Sequence, residues 1–204
     1  KKTKAIMSVS ILGNPCEFNN LRKICKKYNL LLIEDNCESL GARYKGRLTG
    51  TFGEISTFSF FFSHHISTGE GGMIITDNKE YYNLLKSLRS HGWTRGLDKS
   101  YLKSISKNKF FEDYEFIYPG YNLRPMEFNA ATGLEQLKKL KNNIMTRRRN
   151  LKYFQNLFKN DKYFDIQKEI EESSSFSFPL VLKEEYRNKK EKIYSFLKKN
   201  NIEF

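Results

Sequence analysis

The sequence predicts an α/β fold: a mostly parallel sheet flanked by helices, followed by the start of a small α+β C-terminal domain. Three observations predict it. The apolar run "LLLIEDN" ends in a carboxylate, as a parallel strand buried on both faces does. Segments of helical period alternate with β-rich runs. A shift of composition near residues 160–175 precedes one alternating strand and one amphipathic helix, too little to bury a core of its own.

Each element can be justified in order. "KAIMSVSIL" (4–12) is β-rich and apolar, and "GNP" (13–15) breaks it. Phe18, Leu21, Ile24, Cys25 and Tyr28 then recur at helical spacing. Asn14 as N-cap, Pro15 at N1 and Glu17 at N3 suggest a capping box. With the strand at 30–36 this makes a β-α-β unit. "ISTFSFFF" (55–62) and "GGMIITD" (71–77) are further strands, and Tyr81, Leu84, Leu85 and Leu88 mark a helix. Residues 93–118 lack a period and are expected to form a long loop. "PGYNLRP" (119–125) is turn chemistry, and a long helix over 125–160 follows. "FSFPLVLK" (176–183) alternates like a half-buried strand, and residues 184–200 read as an amphipathic helix. The division expected is 1–160 and 161–204.

Composition narrows the function classes. No apolar run approaches the roughly 20 residues that cross a bilayer, so no membrane is expected. The three cysteines, Cys16, Cys25 and Cys37, are odd in number and form no C-x-x-C pair. That points away from disulfides and toward a reducing cytoplasm. The net charge of +13 is spread along helical segments, so solvated faces explain it better than a nucleic-acid surface. The chain opens on Lys rather than Met, read as a processed or interior start.

Functional groups of a parallel sheet collect at the carboxyl ends of its strands. Asp35 ends the second strand, Glu38 follows by three residues, and Ser59, His64 and His65 lie in and beyond the third. Spacing leaves alternatives open: Asp35 as a helix N-cap, Ser59 as a core serine on backbone, one histidine in the core and one at the surface. Adjacent histidines chelate poorly because neighbours on an extended chain point to opposite faces, so no metal is expected.

The stretch "IEDNCESLGARYKGRLTGTFGEISTFSFFFSHHISTGEGGMIITD" resembles the signature of the sugar aminotransferase family of pyridoxal-phosphate (PLP) enzymes, fold type I. "TKAIMSVSILGNP", "LRSHG" and "GYNLRPMEFNAATGLEQL" resemble the family in the same order, over nearly the whole chain. The resemblance implies that 1–160 is the central part of the PLP-binding large domain. The family's Schiff-base lysine falls on His64. That exchange resembles the sugar 3-dehydratase branch of the family. Within it, "HGWTR", "GYNLRP" and "FDIQKE" are most similar to the members without an iron–sulfur cluster, which act on GDP-4-keto-6-deoxy-mannose; no cysteine follows Cys37 to hold a cluster.

By the same resemblance, Asp35 faces the cofactor's pyridine nitrogen, Glu38 its phenolic oxygen and Ser59 its phosphate. Asn122 and Arg124 reach across a homodimer interface toward the neighbour's cofactor or substrate; the alternative is that they cap the next helix. His65 is a candidate substrate contact, or turn geometry together with "GEGG". His64 is the implied base. The cofactor cycles between PLP and its amine form, PMP, with glutamate as amino donor and a nucleotide-linked 4-keto-6-deoxy sugar as substrate, GDP favoured. The expected chemistry is loss of the sugar's 3-hydroxyl. An ordinary sugar aminotransferase and a catalytically incomplete homologue are the alternatives. The family's upstream phosphate loop and ring-stacking aromatic have no counterpart here, so the chain is expected to be a piece of a longer enzyme.

Overall fold

The structure is a computed structural model that describes residues 2–105 and 114–204. Its main sheet has four strands in the order β1-β2-β5-β6: Ala5–Val9, Leu31–Asp35, Ile55–Ser59 and Gly72–Ile75. β1, β2 and β5 run parallel, and β6 returns antiparallel to β5. Helix α1 (Phe18–Tyr28) is the crossover from β1 to β2. Two two-stranded ribbons complete the strands: β3 (Arg43–Tyr44) with β4 (Arg47–Leu48), and β7 (Phe164–Ile166) with β8 (Leu180–Leu182). Among the described residues the remaining α-helices are α2 (Lys79–Leu88), α3 (Lys99–Ile105), α4 (Glu127–Leu157) and α5 (Lys190–Lys199).

The sheet has two unlike faces. One carries Ser8, Leu32, Glu34 and Ser56, all buried. There Phe18, Cys25, Leu32 and Tyr44 form the core, with Phe52 stacked on Phe18 at 4.4 Å. The other face carries Met7, Val9, Leu31 and Ile74, all exposed, beside Asp35, Thr57 and Ser59. The expectation that β2 is buried on both faces is therefore corrected to burial on one.

Several element boundaries also differ from expectation. β1 stops at Val9, and a 3₁₀ turn at Ile11–Gly13 follows, with Leu12 in the left-handed region. The capping box does not form: α1 starts at Phe18 with Glu17 as N-cap and no side-chain cap bond. Tertiary partners take both side chains instead. The Asn14 amide donates to the Lys168 carbonyl and accepts from Ile170 N–H, and Glu17 accepts from the Tyr44 hydroxyl. The loop over 93–118 contains α3, and residues 106–113 lie outside the described residues. The strand expected over 176–183 shrinks to β8, because residues 173–176 leave β geometry to pack across the domain and Pro179 removes a donor. The last helix splits into a 3₁₀ segment, Glu184–Lys189, and α5.

Residues 173–176 make a strap over the sheet's upper edge. Ser174 N–H donates to Gly13 and Phe176 N–H to Leu12. α4 clips the strap from the other side: Arg147 donates to the carbonyls of Ser175 and Phe176, and Arg148 to Ser173 and Gly41. Arg148 also pairs with Glu172.

Candidate active site

β2 and β5 bring the carboxyl-end residues together. Asp35 lies opposite Thr57 in the parallel register, so Asp35, Thr57 and Ser59 share one face of the sheet. Strand spacing and rise place Asp35 and Ser59 about 8 Å apart diagonally. Asp35 closes a local turn, with Oδ1 accepting Cys37 N–H at 3.0 Å. No helix begins there, so the N-cap alternative falls away. Ser59 Oγ accepts Phe61 N–H at 3.2 Å, which starts the turn that carries both histidines; a hydroxyl in that role keeps its own proton to donate. β5 thus ends at Ser59, and His64 sits in a loop rather than at a strand end.

His64 turns back toward β2. Its Nδ1 lies 2.6 Å from the carbonyl oxygen of Cys37. The peptide groups of Cys37 therefore touch Asp35 on one side and His64 on the other. Burial and the neighbouring Asp35 carboxylate push the Cys37 thiol up to about 11, so it stays protonated at neutral pH. Glu38 accepts the N–H of Leu12 at 2.6 Å, which ties the β1 turn to the β2 turn.

His65 is 3% exposed. Its Nε2 lies 3.1 Å from the Ser174 carbonyl, and the Phe176 ring packs against both histidines, 5.0 Å from His64 and 5.9 Å from His65. Burial lowers the His65 pKa to about 4, opposed in part by the Ser174 bond and assisted by the charge of Arg147. In this arrangement His65 belongs to the packing beneath the strap rather than to an open surface.

Asn122 and Arg124 lie on a different segment of the chain. Their segment is fastened to the end of α2 by Tyr121 N–H to Leu88, Leu123 N–H to Arg89 and His91 N–H to Tyr121. Gly92 makes this approach feasible: its φ is +82, and a Cβ there would overlap the Tyr118 carbonyl. α4 takes Met126 as N-cap with no side-chain bond, so neither Asn122 nor Arg124 caps it. Both are exposed, among Tyr121, Leu123, Met126 and Phe128, apolar and exposed as well.

Reading the sequence missed three contributors. Cys37 bridges two site residues through its backbone, which side-chain identity does not signal. The strap at 173–176 is more than a hundred residues from His65 in sequence. Glu34, beside Asp35, is fully buried and accepts from Gly50, Phe52 and Gly53 N–H and from the Ser56 hydroxyl. A carboxylate inside an apolar run was the available signal for Glu34. Among the described residues, no three His, Cys, Asp or Glu side chains cluster as a metal site. No described helix is long and apolar enough to cross a membrane.

The model of the DegT/DnrJ/EryC1/StrS aminotransferase family matches residues 1–204. GDP-4-keto-6-deoxy-D-mannose 3-dehydratase of Yersinia pseudotuberculosis is 50% identical over 188 residues, which is 90% of this chain and 47% of that protein. The enzyme of the same description from Escherichia coli O55:H7 is 48% identical over 185 residues, 90% of this chain and 48% of that protein. The structure of E. coli GDP-4-keto-6-deoxy-D-mannose-3-dehydratase with bound hydrated PLP superposes with a TM-score of 0.92 at 44% identity, covering 100% of this chain and 53% of that one. The chain spans about half the length of these relatives.

Proposed function

The chain belongs to the DegT/DnrJ/EryC1/StrS aminotransferase family, and from that premise we propose that the protein it forms part of is a PLP/PMP-dependent 3-dehydratase of a nucleotide-linked 4-keto-6-deoxy hexose. The substrate proposed is the GDP sugar, with glutamate as amino donor, after the relatives so described and a related structure with a trapped PLP-glutamate geminal diamine. The observation that carries the proposal is His64: an imidazole, not a lysine, fixed by the Cys37 carbonyl beside Asp35.

The donor set fits the cofactor. Asp35 supplies an acceptor for a ring N–H, and Ser59 supplies a hydroxyl for a phosphate on the same sheet face, about 8 Å away. When bound, the cofactor supplies an electron sink for cleaving bonds next to the sugar's 4-position. Asp35 would keep its ring nitrogen protonated. Glu38 would lie at its phenolic oxygen; two adjacent anions repel, so one of the pair carries the proton. Glu38 Oε2 is taken by Leu12 N–H, so its other carboxyl oxygen is the one free to face the cofactor.

His64 is the proposed general base. An imidazole takes or returns a proton without forming a stable covalent link to the cofactor. Loss of the 3-hydroxyl is the outcome proposed, because the lysine that would complete amination is replaced by His64 at this position. Asn122 and Arg124 are proposed to serve the neighbouring subunit of a homodimer; their exposure among apolar side chains supports an interface there. Residues 1–160 are proposed as part of the large domain and 161–204 as the start of the small one; the separate β7–β8 ribbon supports that division.

The test is incubation of the complete protein with PLP, glutamate and GDP-4-keto-6-deoxy-mannose, with ammonia release and sugar mass followed. Dehydration gives ammonia and a sugar lacking one hydroxyl. His64→Lys should abolish that product. A stable aminated sugar from the native protein, or unchanged dehydration in the variant, refutes the assignment.

A further inference from the structure

We propose that His65 is a positioning residue: its imidazole fastens the 60–66 turn to the strap, so that His64 holds its proton on Nδ1 and presents Nε2 as its open, basic nitrogen. The two adjacent histidines are then held in opposite tautomers.

The tautomers follow from acceptor chemistry. A backbone carbonyl can only accept. His64 Nδ1 faces the Cys37 carbonyl at 2.6 Å, so Nδ1 carries the proton and Nε2 the lone pair. His65 Nε2 faces the Ser174 carbonyl at 3.1 Å, so the proton of His65 sits on Nε2. His65 Nδ1 is buried without a partner. A bare lone pair there is tolerable, whereas a second proton would be a buried, unpaired donor on a cation. The Arg147 guanidinium, bound to the same strap, adds to the cost of that charge.

The positioning follows from connectivity. The strap touches the His64–His65 turn through the Ser174 carbonyl and the Phe176 ring. It is itself held by Gly13 and Leu12 from β1's turn and by Arg147 and Arg148 from α4. Through Leu12 the same strap reaches Glu38. His65 is thus a hydrogen-bonding side-chain link between the turn and a framework that also holds Glu38. Its neutrality also matters: a charged ring beside His64 would oppose proton uptake there.

The tautomer assignment is independent of function; the positioning role rests on His64 being the base. The experiment keeps them separable. Nitrogen-resolved NMR of ¹⁵N-histidine-labelled complete protein, without substrate, should show His64 protonated at Nδ1 and His65 at Nε2. Averaged or reversed nitrogens overturn the assignment, whatever the protein turns over. His65→Phe keeps ring bulk and removes the donor; His65→Gln keeps a donor near Nε2. His65→Phe should lower kcat on the order of 10- to 100-fold with KM little changed, and should blur the His64 tautomer. His65→Gln should restore most of both. If the Phe variant keeps native kcat and a native His64 signature, or if Gln fails to restore them, His65 does not position His64. If the tautomers hold while the native protein dehydrates nothing, the functional proposal fails alone.

Discussion

Replacing Glu34 by Gln changes one atom and should cost much of the protein's stability. Glu34 is 0% exposed, and its two oxygens accept four hydrogen bonds. One oxygen takes Phe52 N–H and Gly53 N–H, both at 2.6 Å, and the Ser56 hydroxyl at 3.3 Å. The other takes Gly50 N–H at 2.7 Å. An amide can keep one oxygen in place, but its NH₂ must then face the other donor. If the oxygen stays with Phe52 and Gly53, the NH₂ opposes Gly50 N–H and leaves a buried donor unpaired, a loss of about 1–3 kcal/mol. The retained bonds lose their charge assistance, roughly 1 kcal/mol each. Part of this returns because an amide is cheaper to bury than a carboxylate. The net expectation is a loss of about 2–4 kcal/mol. Urea unfolding of the complete protein, native against Glu34→Gln, measures it, with equal m-values required for the comparison. A loss below about 0.5 kcal/mol would mean that the 50–53 loop does not depend on this carboxylate, and the account of the β2–β5 junction would be wrong.

Other outcomes follow from the same structure. His65 has its folded pKa depressed to about 4 from an ordinary 6.5, so the unfolded chain binds the extra proton between those values. Stability is then complete above pH 6.5 and falls as pH drops toward 4, by roughly 2–3 kcal/mol at pH 4.5 from this group. Denaturation curves at pH 7.5 and 4.5 should show that extra loss in the native protein and not in His65→Gln; equal losses would refute it. Cys37, pushed up to about 11, should be alkylated by iodoacetamide at pH 8 on the order of 100-fold more slowly than an ordinary thiol, and peptide mapping of the label reads this directly. Arg148→Met removes the bonds to Ser173 and Gly41 and the Glu172 pair, and should cost about 1–3 kcal/mol in urea. It should also raise hydrogen exchange at the Ser174 and Phe176 amides, and unchanged protection there would show that the strap does not need this clip.

What could be read from the sequence was set by local physics. β2, α1 and β5 announce themselves through period and length, and parallel pairing followed from the carboxylate at the end of an apolar run. α4 was legible because its 31 residues contain no proline. The capping box was not, because Asn14 and Glu17 satisfy partners at residues 168–170 and at Tyr44. Polar side chains at a helix start choose between local and distant donors, and spacing does not record the choice. The strand expected at 176–183 failed for the same reason: alternation of Phe176 and Phe178 fits a strand, yet Phe176 is spent on the two histidines and Phe178 stacks on Phe154.

The site shows the same division between local and tertiary information. Asp35, Glu38 and Ser59 could be singled out because each lies at or just past a strand end, where a parallel sheet gathers its chemistry, and His64 because it follows in the turn beyond β5. How His64 is aimed could not be, because its partner is a carbonyl, which every residue possesses. Which of the two histidines lies open was equally hidden, since the answer rests with Ser174, 109 residues away from His65. Side-chain identity thus nominates candidates, while backbone acceptors and a remote strap decide which ring nitrogen is engaged. A neutral imidazole carries its lone pair on one nitrogen only, and it is the Cys37 carbonyl facing Nδ1, not the residue type, that leaves the lone pair of His64 on Nε2.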